Sequence, residues 1–224
     1  MPTVLITGTS RGIGREFVRQ YAAEGWKVIA IARADNGISE GKANIEVHTL
    51  DVTDHAAVKA LASTLRGQSI DVLIANAGIM GKGSSRLGSI DYDAWEEVLR
   101  VNVLAPASFA EAFVDNLASS ERRLFVVISS GMGSISDNTS GGFYAYRSSK
   151  AAVNMVIKSL SIDLQKRGIR TVALCPGWVK TDMGGAGANL TPEQSIRGLR
   201  KVIDGMDDGK SGGFFNWAGK ALGW

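Results

Sequence analysis

Tyr146 and Lys150 stand four residues apart in the stretch YAYRSSKAAV, Tyr144 to Val153. On a helix that spacing puts both side chains on one face. A lysine ammonium close to a phenol favours the phenolate and lowers the tyrosine pKa from about 10, which makes the phenol a proton donor near neutral pH. Tyr144 lies six residues before the lysine and points elsewhere. A second constellation is TGTSRGIG, Thr7 to Gly14, which follows a short β-branched run and opens a helical stretch. There Gly8 allows a sharp turn, Gly12 lets a phosphate approach the backbone, and Gly14 lets helix and strand pack closely. The helix N-terminus then offers free N–H groups to a pyrophosphate. At the end of IAIAR, Arg33 occupies the position where an acid holds a free ribose 2′-OH and a cation holds a 2′-phosphate. Arg11, inside the glycine loop, approaches the same phosphate. The two arginines point to NADP(H), with Asp35 the one dissenting residue.

The elements that must position these residues alternate along the chain. TVLIT, KVIAIA, IEVHTL, DVLIANAG, RLFVVISS and IRTVALCPG read as strands, and GGFFNW as a short last one. Between them lie helical stretches. REFVRQYAAEG is closed by Gly25. DHAAVKALASTLRG has Asp54 as N-cap and Gly67 at its end. A long helical region covers about Asp91 to Ala118 and is disturbed at Pro106. The helix holding Tyr146 runs to about Arg167. Thr191, Pro192 and Gln194 have the pattern of a capping box. The strands are apolar throughout, so both sheet faces are covered. Alternating βα units with such strands predict an α/β fold, a doubly wound parallel sheet in one domain over residues 1–224. The glycine- and serine-rich segments fall after strands. NAGIMGKGSSRLGS and KTDMGGAGANL are expected to be the most mobile.

Composition narrows the classes. With 224 residues the chain can bury one sizeable core, and 45% hydrophobic residues is ordinary for a soluble protein. The net charge of +3 is spread along the chain without a basic run, so no nucleic-acid partner is expected. The single cysteine, Cys175, allows no intrachain disulfide and reads as a buried small hydrophobe. The two histidines have no neighbouring ligand cluster, so no metal site is expected. Neither a signal peptide nor a membrane-spanning segment is legible, which makes the cytoplasm the expected location.

Taken in order, the motifs resemble those of the short-chain dehydrogenase/reductase family over nearly the whole length. They are TGxxxGxG at Thr7 to Gly14, Asp51-Val52 after the third strand, NAG at Asn76 to Gly78, Asn102, a serine after the fifth strand, YxxxK at Tyr146 and Lys150, and Pro176-Gly177 followed by Thr181. ISSGMGSI, YAYRSSKAAVN and GGFFNWAGKALGW further resemble the C-factor and sniffer-like carbonyl reductase branch. The resemblance implies roles. Tyr146 donates a proton to a carbonyl oxygen, and Lys150 lowers its pKa and holds the nicotinamide ribose. Ser130 hydrogen-bonds the substrate oxygen, with Ser129 its rival for that place. Asn102 fixes a water linking Lys150 to solvent. Gly8, Ser10, Arg11, Gly12, Ile13, Gly14 and Arg33 meet the phosphates. Asp51 and Val52 lie by the adenine, and Asn76, Ala77 and Gly78 by the adenosine. Pro176, Gly177, Val179 and Thr181 lie by the nicotinamide. Two departures stand out. Ser130 is sixteen residues before Tyr146 where many members have about thirteen, and RADNGISEGKAN is too short for the family's usual helix.

The function expected on this basis is NADPH-dependent reduction of a small aldehyde or ketone. The alternatives are an NAD-linked alcohol dehydrogenase and an NADP-binding signalling protein. Trp178, Met183 and Phe143 read either as an apolar substrate wall or as ordinary lid residues. The family implies a homodimer through the helices at about 91–118 and 144–167, although some relatives act as monomers.

Overall fold

Strands that are apolar at every position need cover on both faces, and the covering helices must then alternate with them along the chain. The computed structural model, which describes residues 1–35, 37–39, 42–81 and 87–224, has this arrangement. The elements run β1 (Thr3–Thr7), α1 (Gly12–Ala23), β2 (Lys27–Ala32), β3 (Ile45–Thr49), α2 (His55–Thr64), β4 (Val72–Ala75) and α3 (Tyr92–Leu99). A π-helical segment (Arg100–Leu104), α4 (Ala105–Ala112), α5 (Val114–Ala118) and β5 (Leu124–Ile128) follow. The chain continues through α6 (Tyr144–Asp163), β6 (Arg170–Cys175), α7 (Pro192–Asp204) and β7 (Gly213–Asn216). The strands form one seven-stranded parallel sheet in the order β3-β2-β1-β4-β5-β6-β7. The order reverses between β1 and β4, and a ligand crevice forms at such a switch point outside the carboxyl ends of the strands.

Successive strand residues face opposite sides, so the sheet divides the core. On one face Val4, Ile6, Val28 and Ile74 pack with Phe17 and Tyr21 of α1 and Ile196 and Leu199 of α7. On the other, Leu5, Ile29, Leu73 and Phe125 pack with Val58 of α2, Phe109 of α4, and Val153 and Ile157 of α6. Asp54 caps α2 by accepting from the Ala57 N–H at 3.0 Å, and Thr191 and Gln194 form the full capping box of α7. Among the described residues between β2 and β3 there is no helix. The segment expected to be mobile after β4 falls partly on residues 82–86, outside the described residues.

The long helical region from Asp91 is broken where the sequence places Pro106. Proline has no N–H, so the Asn102 carbonyl four residues earlier has no α-helical donor. The backbone responds by slipping into the π register over Arg100–Leu104, and Ala105 N–H bonds to the Arg100 carbonyl. A second break falls at Phe113 (φ −103°). π segments inside α-helices often mark functional sites, and this one carries Asn102.

Candidate active site

The loops leaving β1, β4, β5 and β6 share one edge of the sheet. They enclose a cleft of about 1730 Å³ that runs from the glycine loop to Tyr146 and Lys150. At its β1 end the chain turns at Gly8 (φ 71°), and a Cβ there would stand 2.7 Å from the Ala77 Cα. A Cβ on Gly14 would run into the Gly8 carbonyl oxygen and the Asn76 amide. Both glycines are thus required by close approach of backbones, as the loop pattern predicts. Gly12 (φ 55°) faces Thr181, whose Cγ2 lies 3.4 Å from the place of a Cβ. The first turn of α1 has no side-chain cap and no acidic residue, and Gly12, Ile13 and Gly14 line the cleft. An uncapped helix N-terminus presents free N–H groups and a partial positive charge. The donor set therefore fits a pyrophosphate.

Ser10, Arg11, Arg33, Asp51, Val52, Ala77 and Gly78 also line this cleft, with Pro176, Gly177, Val179 and Thr181 on its β6 side. Arg33 is exposed, and together with the two bonds from Thr53 it holds the Asp51 carboxyl below its ordinary pKa; the Thr53 backbone bond contributes most. Arg11 reaches across the cleft to Asp182 at 2.9 Å, with both side chains about three-quarters exposed (76% and 74%). Asn76 also lines the cleft. Its Nδ2 donates to the carbonyls of Thr7 at 2.8 Å and Gly8 at 3.1 Å, bracing the glycine loop.

At the other end, α6 begins abruptly after Phe143, which sits in the left-handed region at φ 49°. Tyr146 and Lys150 are both buried on its inner face and line the cleft, while Tyr144 is partly exposed, its ring tilted at 33° to that of Trp95 with centroids 6.5 Å apart. The four-residue spacing thus selects Tyr146. Ser129 is buried and donates to Asn154 Oδ1 at 2.6 Å, so its hydroxyl is occupied. Ser130 instead caps the 3₁₀ turn Gly131–Gly133 by accepting from the Met132 N–H at 3.2 Å, and it lines the cleft with Tyr146. Asn102 accepts from the Ile79 N–H at 2.9 Å and donates to the Ile79 carbonyl at 2.9 Å and to Ser149 Oγ at 3.0 Å. Its amide is thus committed to the β4 loop and to α6. Its Oδ1 and the Lys150 Nζ flank Gly78, at 3.4 and 3.5 Å from where a Cβ would be.

The electrostatics correct one expectation. Burial pushes the Tyr146 phenol up to about 12, opposed by the nearby Ser130 hydroxyl, and Lys150 is not among the groups that lower it. Lys150 is itself buried, which brings its own pKa down to about 8. Nζ donates to the Ile128 carbonyl at 2.9 Å and lies 5.6 Å from the centre of the Tyr146 ring. In the protein alone, Tyr146 is therefore a firmly protonated phenol.

Sequence patterns did not single out Asp182, Met80 or Met132, which also line the cleft. Cys175, read as a buried filler, accepts the Gly131 N–H at 3.1 Å and forms part of the cleft wall. Its place directly before Pro176-Gly177 was the available signal. Trp178 and Met183 line the cleft and are half exposed, whereas Phe143 is exposed outside it.

Residues 2–189 match the short chain dehydrogenase family. The chain is 42% identical over 167 residues to the C-signal of Myxococcus xanthus, covering 75% of this chain and all of that one. It is 38% identical over 231 residues to 1-hydroxy-2-glutathionyl-2-methyl-3-butene dehydrogenase of Rhodococcus sp. (strain AD45), covering the full length of both. Among solved structures, the NADPH-bound carbonyl reductase from chicken fatty liver superposes with a TM-score of 0.93 at 34% identity, covering 100% of this chain and 99% of that one.

Proposed function

Because the chain belongs to the short-chain dehydrogenase family, we propose that it reduces an aldehyde or ketone to the alcohol with NADPH, the Tyr146 phenol giving the proton. The observation that carries this reading is the gathering of Tyr146, Ser130 and Lys150 in the cleft that the glycine loop opens. The uncapped N-terminus of α1 would hold the pyrophosphate, Arg11 and Arg33 the 2′-phosphate, Asp51 and Val52 the adenine, and Thr181 with Val179 the nicotinamide amide. When bound there, NADPH supplies a hydride to the carbonyl carbon.

The protein's own contribution is to meet the charge that develops on the carbonyl oxygen. Ser130 and Tyr146 both line the cleft and would offer their hydroxyls to that oxygen, and such donors act most strongly where charge appears in the transition state. The phenol transfers its proton to that oxygen. Lys150 then stabilises the phenolate left behind, and Asn102, fixed by the π segment and by Ser149, keeps the lysine's surroundings in place. Trp178, Met132 and Met183 give the site an apolar wall.

The family and the NADPH named for the chicken relative support the cofactor choice, as do the two arginines at the adenosine end. The Rhodococcus relative is named a dehydrogenase, which favours oxidation of an alcohol as the second reading. The C-signal likeness motivates a signalling role, but an intact set of Ser130, Tyr146, Lys150 and Asn102 favours an enzyme. Exposed Leu104 of the π segment and Met155 and Ile162 of α6 support assembly as a homodimer. Incubation with a panel of aldehydes and ketones, followed by NADPH absorbance, tests the reading. NADPH consumption with some of them is expected, and oxidation of alcohols with NAD alone would replace it by the second reading.

A further inference from the structure

We infer that Trp224 is a positioning residue, holding the loop that carries Ser130 against the sheet. The loop between β5 and α6 places Ser130 sixteen residues before Tyr146, and beyond Ser134 it is exposed through Gly141. A loop this long loses its register unless something other than its ends fixes it, because each unanchored residue regains conformational freedom. One anchor is α6 itself. A Cβ on Gly133 would stand 2.7 Å from the Lys150 Cβ, so the 3₁₀ turn lies flat on the helix. The second anchor is the segment after β7.

That segment doubles back on the sheet. Asn216 N–H donates to the Lys220 carbonyl at 2.9 Å, Phe215 and Ala221 form an antiparallel bridge, and Leu222 N–H donates to the Phe214 carbonyl at 2.8 Å. The Trp224 ring then stacks on the buried ring of Phe214, centroids 5.7 Å apart and planes at 18°. Held there, the Trp224 carbonyl accepts the Ser136 N–H at 2.9 Å. Gly223 permits the approach, since a Cβ would stand 2.5 Å from Ser136 Oγ. From Ser136 the connection runs back to the catalytic serine. Ser136 Oγ bonds Ser134 Oγ at 3.2 Å, Ser134 N–H donates to the Gly131 carbonyl at 3.1 Å, and Gly133 N–H to the Ser130 carbonyl at 2.9 Å. The ring of Trp224 touches none of the reacting groups. It fixes a carbonyl that fixes the loop.

The role in turnover rests on the reductase reading, while the anchoring does not, so the test has two arms. The first is hydrogen exchange on the full chain, wild type against W224A and W224F. W224A is expected to lose protection over residues 130–137 while β1 and α1 keep theirs, and W224F, which keeps a ring on Phe214, to restore it. The second is kinetic: kcat for carbonyl reduction falls roughly tenfold to a hundredfold in W224A, the scale of a 1 Å misplacement, with NADPH affinity unchanged and W224F near wild type. If wild type reduces no carbonyl, the reductase reading fails and the exchange arm still decides the anchoring. Unchanged protection over 130–137 in W224A overturns the inference. So does a loss spread evenly over the whole chain with NADPH affinity falling in step.

Discussion

Replacing Gly133 with alanine perturbs the catalytic loop from the helix side. The new Cβ would stand 2.7 Å from the Lys150 Cβ, 2.8 Å from its carbonyl carbon and 3.1 Å from the Ala151 nitrogen. Carbon atoms pack at about 3.5–4.0 Å, so the shortfall is roughly 1 Å. Two of the three neighbours are backbone atoms of α6, which cannot rotate out of the way. The 3₁₀ turn must therefore lift by about that amount and take Ser130 with it, because Gly133 N–H is bonded to the Ser130 carbonyl at 2.9 Å. Overpacking of this kind costs about 1–3 kcal/mol, and a displacement of about 1 Å at reacting groups costs about a hundredfold in rate. Steady-state NADPH oxidation gives kcat, fluorescence titration gives the NADPH affinity, and urea unfolding gives the stability. The expectation is a large fall in kcat, near-constant NADPH affinity, and a loss of stability well above that of G131A, whose Cβ meets only Cys175 Sγ at 3.9 Å. G133A with wild-type kcat and wild-type stability would refute the tight seating of the loop on Lys150.

Two further outcomes follow from the charges. Lys150 carries a pKa brought down from 10.5 to about 8 by burial. Below pH 8 both folded and unfolded chains hold its proton and the folded chain bears a buried charge. Between about 8 and 10.5 the unfolded chain holds more protons, so the penalty is relieved as pH rises. The stability margin of K150M over wild type should thus be greatest at pH 7 and shrink by pH 10 in paired urea unfolding curves; a constant margin contradicts this. Removing Arg11 and Arg33 together should weaken NADPH binding by tenfold or more per arginine, since a hydrogen bond to a charged group contributes about 1.5–3 kcal/mol. NADH binding should be nearly unchanged in calorimetry, and equal losses for the two cofactors would remove both arginines from the 2′-phosphate.

The doubly wound sheet was legible because apolar strands and helical stretches alternate along most of the chain, the passage from β2 to β3 excepted, and local rules govern both. That Tyr146 and not Tyr144 shares the cleft with Lys150 was legible for the same reason, being a matter of helical spacing. What depended on depth was not. Spacing puts Lys150 beside Tyr146 but does not say that burial pushes the phenol up to about 12 and brings the lysine down to about 8. Long-range partners were equally hidden. Ser129 is occupied by Asn154, 25 residues on, and Arg11 meets Asp182 across 171 residues. Asn76 was expected beside the adenosine, and its motif does not disclose that its amide also braces the glycine loop. Pro106 announced a disturbed helix, but only the backbone register shows that the disturbance is a π segment placing Asn102.

The most direct test of the central claim is the rate of NADPH oxidation with a reducible carbonyl by Y146F and Y144F, each beside its NADPH affinity. Both variants keep an aromatic ring and lose one hydroxyl. Y146F is expected to lose about a hundredfold to ten-thousandfold in kcat, the contribution of a positioned proton donor, with NADPH affinity intact, and Y144F to keep most of its rate. A Y146F that turns over near the wild-type rate, or a Y144F that does not, would contradict it.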